Sequence, residues 1–223
     1  MKKPVYYRWT DYNLDLLPNA YLREQERGVG GPSEWVEKTG YSPGFPAWNL
    51  LYYALLCSLK PDSFNLIVET GTNIGSSTII LAQALKDSGR DGLVRTVEIE
   101  PANHERAKLS AEKAGVVDRI EFYLGNSLEM LPSMADQPVQ IAFLDGNHLH
   151  DHVIHEFEIV LPRLKPDALV IFDNTYQIAD EGEDPRVHGA LKSIQKLHGG
   201  NLINFPIASW YTPGFAIWQK TPL

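Results

Sequence analysis

Residues 65–77 read Asn65-Leu66-Ile67-Val68-Glu69-Thr70-Gly71-Thr72-Asn73-Ile74-Gly75-Ser76-Ser77, an apolar run that ends in an acid and passes through two glycines into a second apolar stretch. A short Val/Ile/Leu run closed by a glycine turn predicts a buried strand. The periodic apolar residues from Gly75 to Lys86 predict a helix opened by that turn. In an open α/β sheet, ligands lie outside the carboxyl ends of the strands, where free helix-start N–H groups favour an anion. The spacing is GxxxG with no Lys-Ser/Thr after it, so this is not a phosphate-binding P-loop, and the third position of the dinucleotide fingerprint is missing. Taken alone, the turn fits an ordinary tight strand-to-helix connection as well as a ligand cradle.

The same alternation continues outward. The runs LVRTVE, RIEFYL, VQIAFL and ALVIFD predict four further strands, with helical stretches over 101–114, 151–164 and 185–197. Upstream, AWNLLYYALLCSL predicts a buried helix; downstream, NLINFPIAS and FAIWQK predict two strands joined through Pro213 and Gly214 as an antiparallel hairpin. The expected fold is α/β: a Rossmann-like, doubly wound, mostly parallel sheet of seven strands with an antiparallel C-terminal hairpin and helices on both faces. Residues 1–45, rich in Gly, Pro and aromatics, read as an N-terminal extension or lid, and residues 46–223 as the ligand-binding domain. Tyr6, Tyr7, Trp9, Tyr12, Trp35, Tyr41, Phe45 and Trp48 read first as packing residues and, in a lid, as shapers of specificity.

Composition narrows the function. A chain of 223 residues suits one domain, and 28 acidic against 20 basic residues give a net charge of −8, which repels a nucleic-acid backbone. One cysteine, Cys57, excludes an intrachain disulfide or a zinc–thiolate cluster, and a reducing cytoplasm fits best. Neither a signal-peptide core nor a membrane-spanning run is expected.

Acids mark the remaining strand ends. Glu98 closes the second strand beside the glycine turn, where a carboxylate accepts hydrogen bonds from two neighbouring hydroxyls of a ribose. Glu100 is the rival, but its place near the helix start at Pro101 is already explained by the helix dipole. Asp145 ends the fourth strand, and Asp173 with Asn174 ends the fifth; two acids and an amide make a hard oxygen site suited to Mg²⁺ or another divalent cation. The same residues also fit simple turn and helix capping. His148 follows Asp145 by three residues and serves either as a proton acceptor or as a group that orients Asp145. His150, His152 and His155 read as solvated helix-start residues, and the acidic run 180–184 as a surface loop bordering the pocket.

In order, ETGTNIGSST, TVEIEP, GNSLEMLP, FLDGNH and IFDNT resemble the class I S-adenosylmethionine-dependent methyltransferases. Within them the chain is similar to the catechol and caffeoyl-CoA O-methyltransferase-like group and the bacterial methyltransferase 24 type, over about residues 47–220. The resemblance implies an O-methyltransferase acting on a small-molecule hydroxyl. It implies that Glu69 lies near the methionine part of S-adenosylmethionine, and that Gly71, Thr72, Asn73, Gly75, Ser76 and Ser77 approach the cofactor. Glu98 is implied to bind the ribose, and Gly125, Asn126 and Ser127 to contact the adenine, with Asp145 on the same edge. Asp145, Asp173 and Asn174 are implied to hold the divalent metal, and Asp145 and His148 to carry catalysis. His148 departs from the catechol branch, which has a lysine there, but suits the bacterial relatives. A metal-independent enzyme with His148 as base, a silent binding subunit, and a homodimer through the N-terminal extension all remain compatible with the sequence.

Overall fold

A computed structural model describes residues 14–28, 47–175, 184–205 and 214–220. The aromatics at 6, 7, 9, 12, 35, 41 and 45, the acidic run apart from Asp184, and Pro213 lie outside the described residues. The strands are β1 (Asn65–Thr70), β2 (Gly92–Glu98), β3 (Ile120–Leu124), β4 (Val139–Leu144), β5 (Leu164–Asp173), β6 (Asn201–Phe205) and β7 (Phe215–Gln219). The α-helices are α1 (Ala20–Gly28), α2 (Ala47–Ser58), α3 (Ser76–Ser88), α4 (Pro101–Lys113), α5 (Ser127–Met134), α6 (His150–Val160) and α7 (Arg186–His198).

The strands form one seven-stranded sheet in the order β3-β2-β1-β4-β5-β7-β6. Neighbours from β3 to β5 pair in parallel, while β7 runs antiparallel to both β5 and β6. The expected hairpin is present, and β7 is its reversed strand. The chain builds outward from β1 to β3, then crosses back to lay β4 on the other side of β1. The strand order reverses between β1 and β4, and there the helices on either side diverge and leave a crevice.

Residue alternation explains the two-faced burial. Ile67, Ile141, Phe143, Leu169 and Ile171 meet Leu51, Leu55, Ile79 and Ile80 on the face covered by α2 and α3. Leu66, Val68, Ala142, Val170 and Phe172 meet Leu131, Phe157, Leu191 and Ile194 on the face covered by α5, α6 and α7. Because β1 and β4 are covered on both sides, every residue in them is buried, which is why their apolar residues do not alternate with exposed polar ones. The edge strand β6 alternates between exposed and half-buried positions.

Several details add to or differ from the sequence reading. The helix expected over 151–164 stops at Val160, and a 3-10 turn at Leu161–Arg163, with Pro162 in its first positions, leads into a strand four residues earlier than expected. Within β5, Asp167 takes a positive φ of 63° as the register with β4 shifts. Part of the N-terminal extension belongs to the main core: Leu17 and Leu22 are buried in it, and Asn19 Nδ2 donates to Gln83 Oε1 at 2.7 Å and to the Ala114 carbonyl at 3.1 Å. Cys57, placed in an apolar helix, is exposed.

Phe157 has no exposed surface and meets Trp218 edge-on at 5.0 Å and Phe172 at 6.2 Å. Phe157→Ala is expected to lower stability by about 3–5 kcal/mol in urea unfolding. Leu109→Ala, at a residue 54% exposed, is expected to change it by no more than about 0.5 kcal/mol.

Candidate functional site

The crevice is assembled by backbone contacts among the tips of β1, β2 and β4. The N–H groups of Gly71 and Thr72 donate to the Val97 carbonyl at 3.0 and 3.2 Å, and Asp145 N donates to the Thr70 carbonyl at 3.2 Å. Gly71 has φ +81°, and a Cβ there would lie 2.2 Å from the Asp145 carbonyl oxygen and 2.8 Å from Gly146 Cα. Only glycine lets these two turns meet. Gly75, with φ 92°, caps the start of α3, and a Cβ on it would press on Ala107 at 3.3 Å.

Glu69 sits beneath this turn with no exposed surface. Its carboxylate accepts hydrogen bonds from Ser77 Oγ (2.6 Å), Thr96 Oγ1 (2.6 Å) and Thr78 Oγ1. Burial nevertheless outweighs these hydroxyls and pushes the carboxyl up to about 7. Through these bonds Glu69 ties β1 to α3 and β2 and so supports the turn. Ser77 is spent on Glu69 in the same way. Thr72 Oγ1 lies within hydrogen-bonding distance of Thr96 Oγ1, which extends the same network.

Above the turn opens a cleft of about 130 Å³. One wall carries Glu98 and Ile99 from the end of β2; the floor is Gly71; the far side carries Gly125, Asn126 and Ser127, and Gly146, Asn147 and His152 close it. Glu98 is oriented by two backbone donors, Asn73 N to Oε2 at 2.6 Å and Glu100 N to Oε1 at 2.9 Å. Asn73 reaches it by adopting φ 49°. Ile99, 68% exposed, offers an apolar face at the cleft edge. At the start of α5 the N-cap is Asn126, whose side chain accepts from Leu128 N at 2.9 Å. Ser127, the first residue of α5, is therefore not needed as the cap.

The acids after β4 and β5 stand together. His148 Nε2 lies 3.2 Å from Asp145 Oδ1. Burial raises the Asp145 carboxyl above its usual range, opposed by its bond to His148. Asp173 is 4% exposed, its Oδ1 is buried without a hydrogen-bond partner, and burial together with the Asp145 charge holds its carboxyl well above the ordinary range. Asn174 follows with φ 56°. The next residue is pinned: Thr175 Oγ1 donates to Asn204 Oδ1 at 2.6 Å, and the Thr175 carbonyl lies 3.2 Å from His188 Nδ1. Among the described residues, no group of three or more His, Cys, Asp or Glu converges as metal ligands.

Two site residues were missed in the sequence. His152, read there as solvated, has a side chain only 16% exposed and bridges Ser127 Oγ (3.0 Å) and Glu156 Oε1 (3.2 Å). Glu156 has no exposed surface, and its Oε2 accepts from Thr70 Oγ1 at 3.1 Å. The available signal was an acid at a core position of α6, next to Phe157, with a histidine one turn before it. His150 is likewise held, 3.1 Å from Ser193 Oγ through Nε2. Asp184 accepts from both His150 N and Arg186 N, so it joins the starts of α6 and α7.

A glycine turn after β1, an acid ending β2, and a cleft at the reversal of strand order make up the candidate site. Residues 68–175 match the methyltransferase 24 family, described as a methyltransferase domain. The chain is 31% identical to a catechol O-methyltransferase of Mycobacterium tuberculosis over 59% of each chain. It is 28% identical to one of Niastella koreensis over 69% of this chain and 68% of that one. The chain thus spans about three-fifths of the first relative's length and two-thirds of the second's. An O-methyltransferase of Bacillus cereus solved in complex with S-adenosylhomocysteine superposes with a TM-score of 0.71 at 22% identity, covering 90% of both chains. The fold is therefore that of the class I methyltransferases, and the sequence matches bear out the resemblance to the catechol and methyltransferase 24 groups.

Raising the Glu69 carboxyl from 4.5 to about 7 means that the folded state binds its proton more tightly than the unfolded chain does. Its contribution to stability is complete below about pH 4.5 and is lost as pH rises through about 7. Urea unfolding at pH 5 and pH 8 is expected to show the wild type losing up to about 3 kcal/mol more than Glu69→Gln over that interval.

Proposed function

We propose that this protein is an S-adenosylmethionine-dependent O-methyltransferase that acts on a hydroxyl of a small molecule. The observation that carries the reading is Glu98: a carboxylate at the end of β2, held by Asn73 N and Glu100 N and facing a cleft floored by Gly71. The two backbone donors fix its plane and leave further acceptor capacity for a pair of ribose hydroxyls. Gly71, Thr72, Asn73 and Gly75 approach the cofactor as backbone, with Ser76 beside them at the helix start. Asn126 and Ser127 face the adenine at the far side, and Ile99 covers one face of the ring. Glu69 and Ser77, which the resemblance sets beside the methionine part, support that end of the site from below.

Asp145, Asp173 and Asn174 are the residues that would hold a divalent metal. The fit rests on the buried, unpartnered Asp173 Oδ1 and on the Asp145 charge beside it, an arrangement of like charges that a hard cation relieves. When bound, such a cation supplies Lewis acidity that lowers the acceptor hydroxyl's pKa and fixes its approach. The chain's own contribution is His148. A carboxylate only accepts hydrogen bonds, so the nitrogen that faces Asp145 carries the proton and Nδ1 is the basic one. His148 takes the hydroxyl proton through Nδ1 as the acceptor oxygen displaces the sulfonium methyl in line, and Asp145 stabilises the imidazolium that results. The relatives' name, catechol O-methyltransferase, makes catechols the first acceptors to test.

Calorimetric titration with S-adenosylhomocysteine is expected to show micromolar binding by the wild type. Glu98→Ala is expected to lose roughly 100-fold in affinity with the loss of two hydrogen bonds to a charged group. Unchanged affinity in the variant would refute the ribose assignment. In assays with catechol acceptors, His148→Ala is expected to lower kcat by about 10²–10⁴ while leaving cofactor affinity intact. EDTA is expected to abolish turnover in the wild type, and activity that survives it would leave His148 as the base of a metal-independent enzyme.

A further inference from the structure

We propose that His152 is a positioning residue that sets cofactor base specificity by holding the Ser127 hydroxyl as a hydrogen-bond donor toward the purine. The inference rests on the cofactor reading above and extends it to a histidine that the catalytic site does not use.

One imidazole nitrogen, His152 Nε2, faces two oxygens, Ser127 Oγ at 3.0 Å and Glu156 Oε1 at 3.2 Å. Glu156 is fully buried, its Oε2 already accepts from Thr70 Oγ1, and a carboxylate offers no donor. Nε2 must therefore carry a hydrogen, whether the ring is neutral or charged. A nitrogen that carries a hydrogen has no lone pair in the ring plane, so Ser127 cannot donate to it. Nor is Ser127 needed to cap α5, because Asn126 fills that role through Leu128 N. The Ser127 hydroxyl hydrogen is left to turn into the cleft that Ser127 lines. The proposal sets the purine N1 against this hydroxyl: N1 is an acceptor in adenine and carries a hydrogen in hypoxanthine.

The support for this polarity is rigid. Thr70, which donates to Glu156, ends β1, and its hydroxyl lies 3.3 Å from Asp145 N. Glu156 Oε1 also packs beside Gly146, where a Cβ would meet it at 3.2 Å. The base end of the cleft is thus oriented from the same strand tip that carries the glycine turn.

The test compares S-adenosylhomocysteine with S-inosylhomocysteine by calorimetry on the wild type, His152→Ala, His152→Gln, Ser127→Ala and the double alanine variant. The wild type is expected to prefer the adenosyl ligand by about tenfold or more, since a donor facing a donor leaves both unpaired. His152→Ala frees the serine to turn either way, and the preference is expected to shrink to about twofold. His152→Gln, whose amide can donate to Glu156, is expected to keep the preference. In a Ser127→Ala background, adding His152→Ala is expected to change nothing further. If both ligands weaken in parallel in His152→Ala with the ratio intact, His152 is merely structural and the proposal fails. Should His152→Ala not fold, the contrast of Ser127→Ala with His152→Gln decides the same point. A wild type that binds neither ligand overturns the cofactor reading itself and this inference with it.

Discussion

The close approach of Gly71 to the Asp145–Gly146 backbone is the constraint on which the rest of the site depends. A methyl group at residue 71 would stand 2.2 Å from the Asp145 carbonyl oxygen, well inside any permitted contact. Because it is absent, the turn after β1 and the turn after β4 touch at the one place where the strand order reverses. That contact puts the glycine turn, Glu98 and the acids after β4 and β5 on one rim. The hydrogen bonds from Gly71 N and Thr72 N to Val97 O then draw the end of β2, and with it Glu98, against the same turn.

Several acids crowd that rim, and the structure treats them in different ways. Glu69 is wrapped by three hydroxyls and Glu156 is held by Thr70 and His152, so their charges are spent inside the protein. Glu98 is fixed by two backbone donors and keeps a face in the cleft. Of these acids, only Asp173 has a buried oxygen with no partner among the described residues, next to the charge of Asp145. Satisfied acids position the backbone; the unsatisfied one marks where an outside charge or donor is wanted.

Much of this was legible in the residues. β1, β4 and the glycine turn are readable because a strand buried on both faces is mostly apolar and a left-handed turn favours glycine. Glu98, Asp145 and Asp173 are readable because each ends such a run. Glu69 is the instructive case: as the acid next to the glycines it looks like a ligand contact, yet strand alternation puts it on the α3 side with Ile67, where Ser77 and Thr78 of α3 and Thr96 of β2 enclose it. His152 is the opposite case, polar and near a helix start, and so read as solvated, until the packing of α5 against α6 brings Ser127 onto it.

By itself, the sequence determined the layer architecture, the strand and helix order, and which strand ends carry acids, because these follow from periodicities of two and 3.6 and from the turn chemistry of glycine. It also determined that the turn after β1 lacks the phosphate-binding loop pattern. What only the tertiary structure decided is which side chains face the cleft and which are consumed beneath it. Those roles turn on contacts between residues far apart in the chain, such as Thr70 with Glu156, Thr96 with Glu69 and Ser127 with His152. A local pattern sets the phase of a strand or a helix, but the partner that a polar group finds is set by which elements the sheet order brings together.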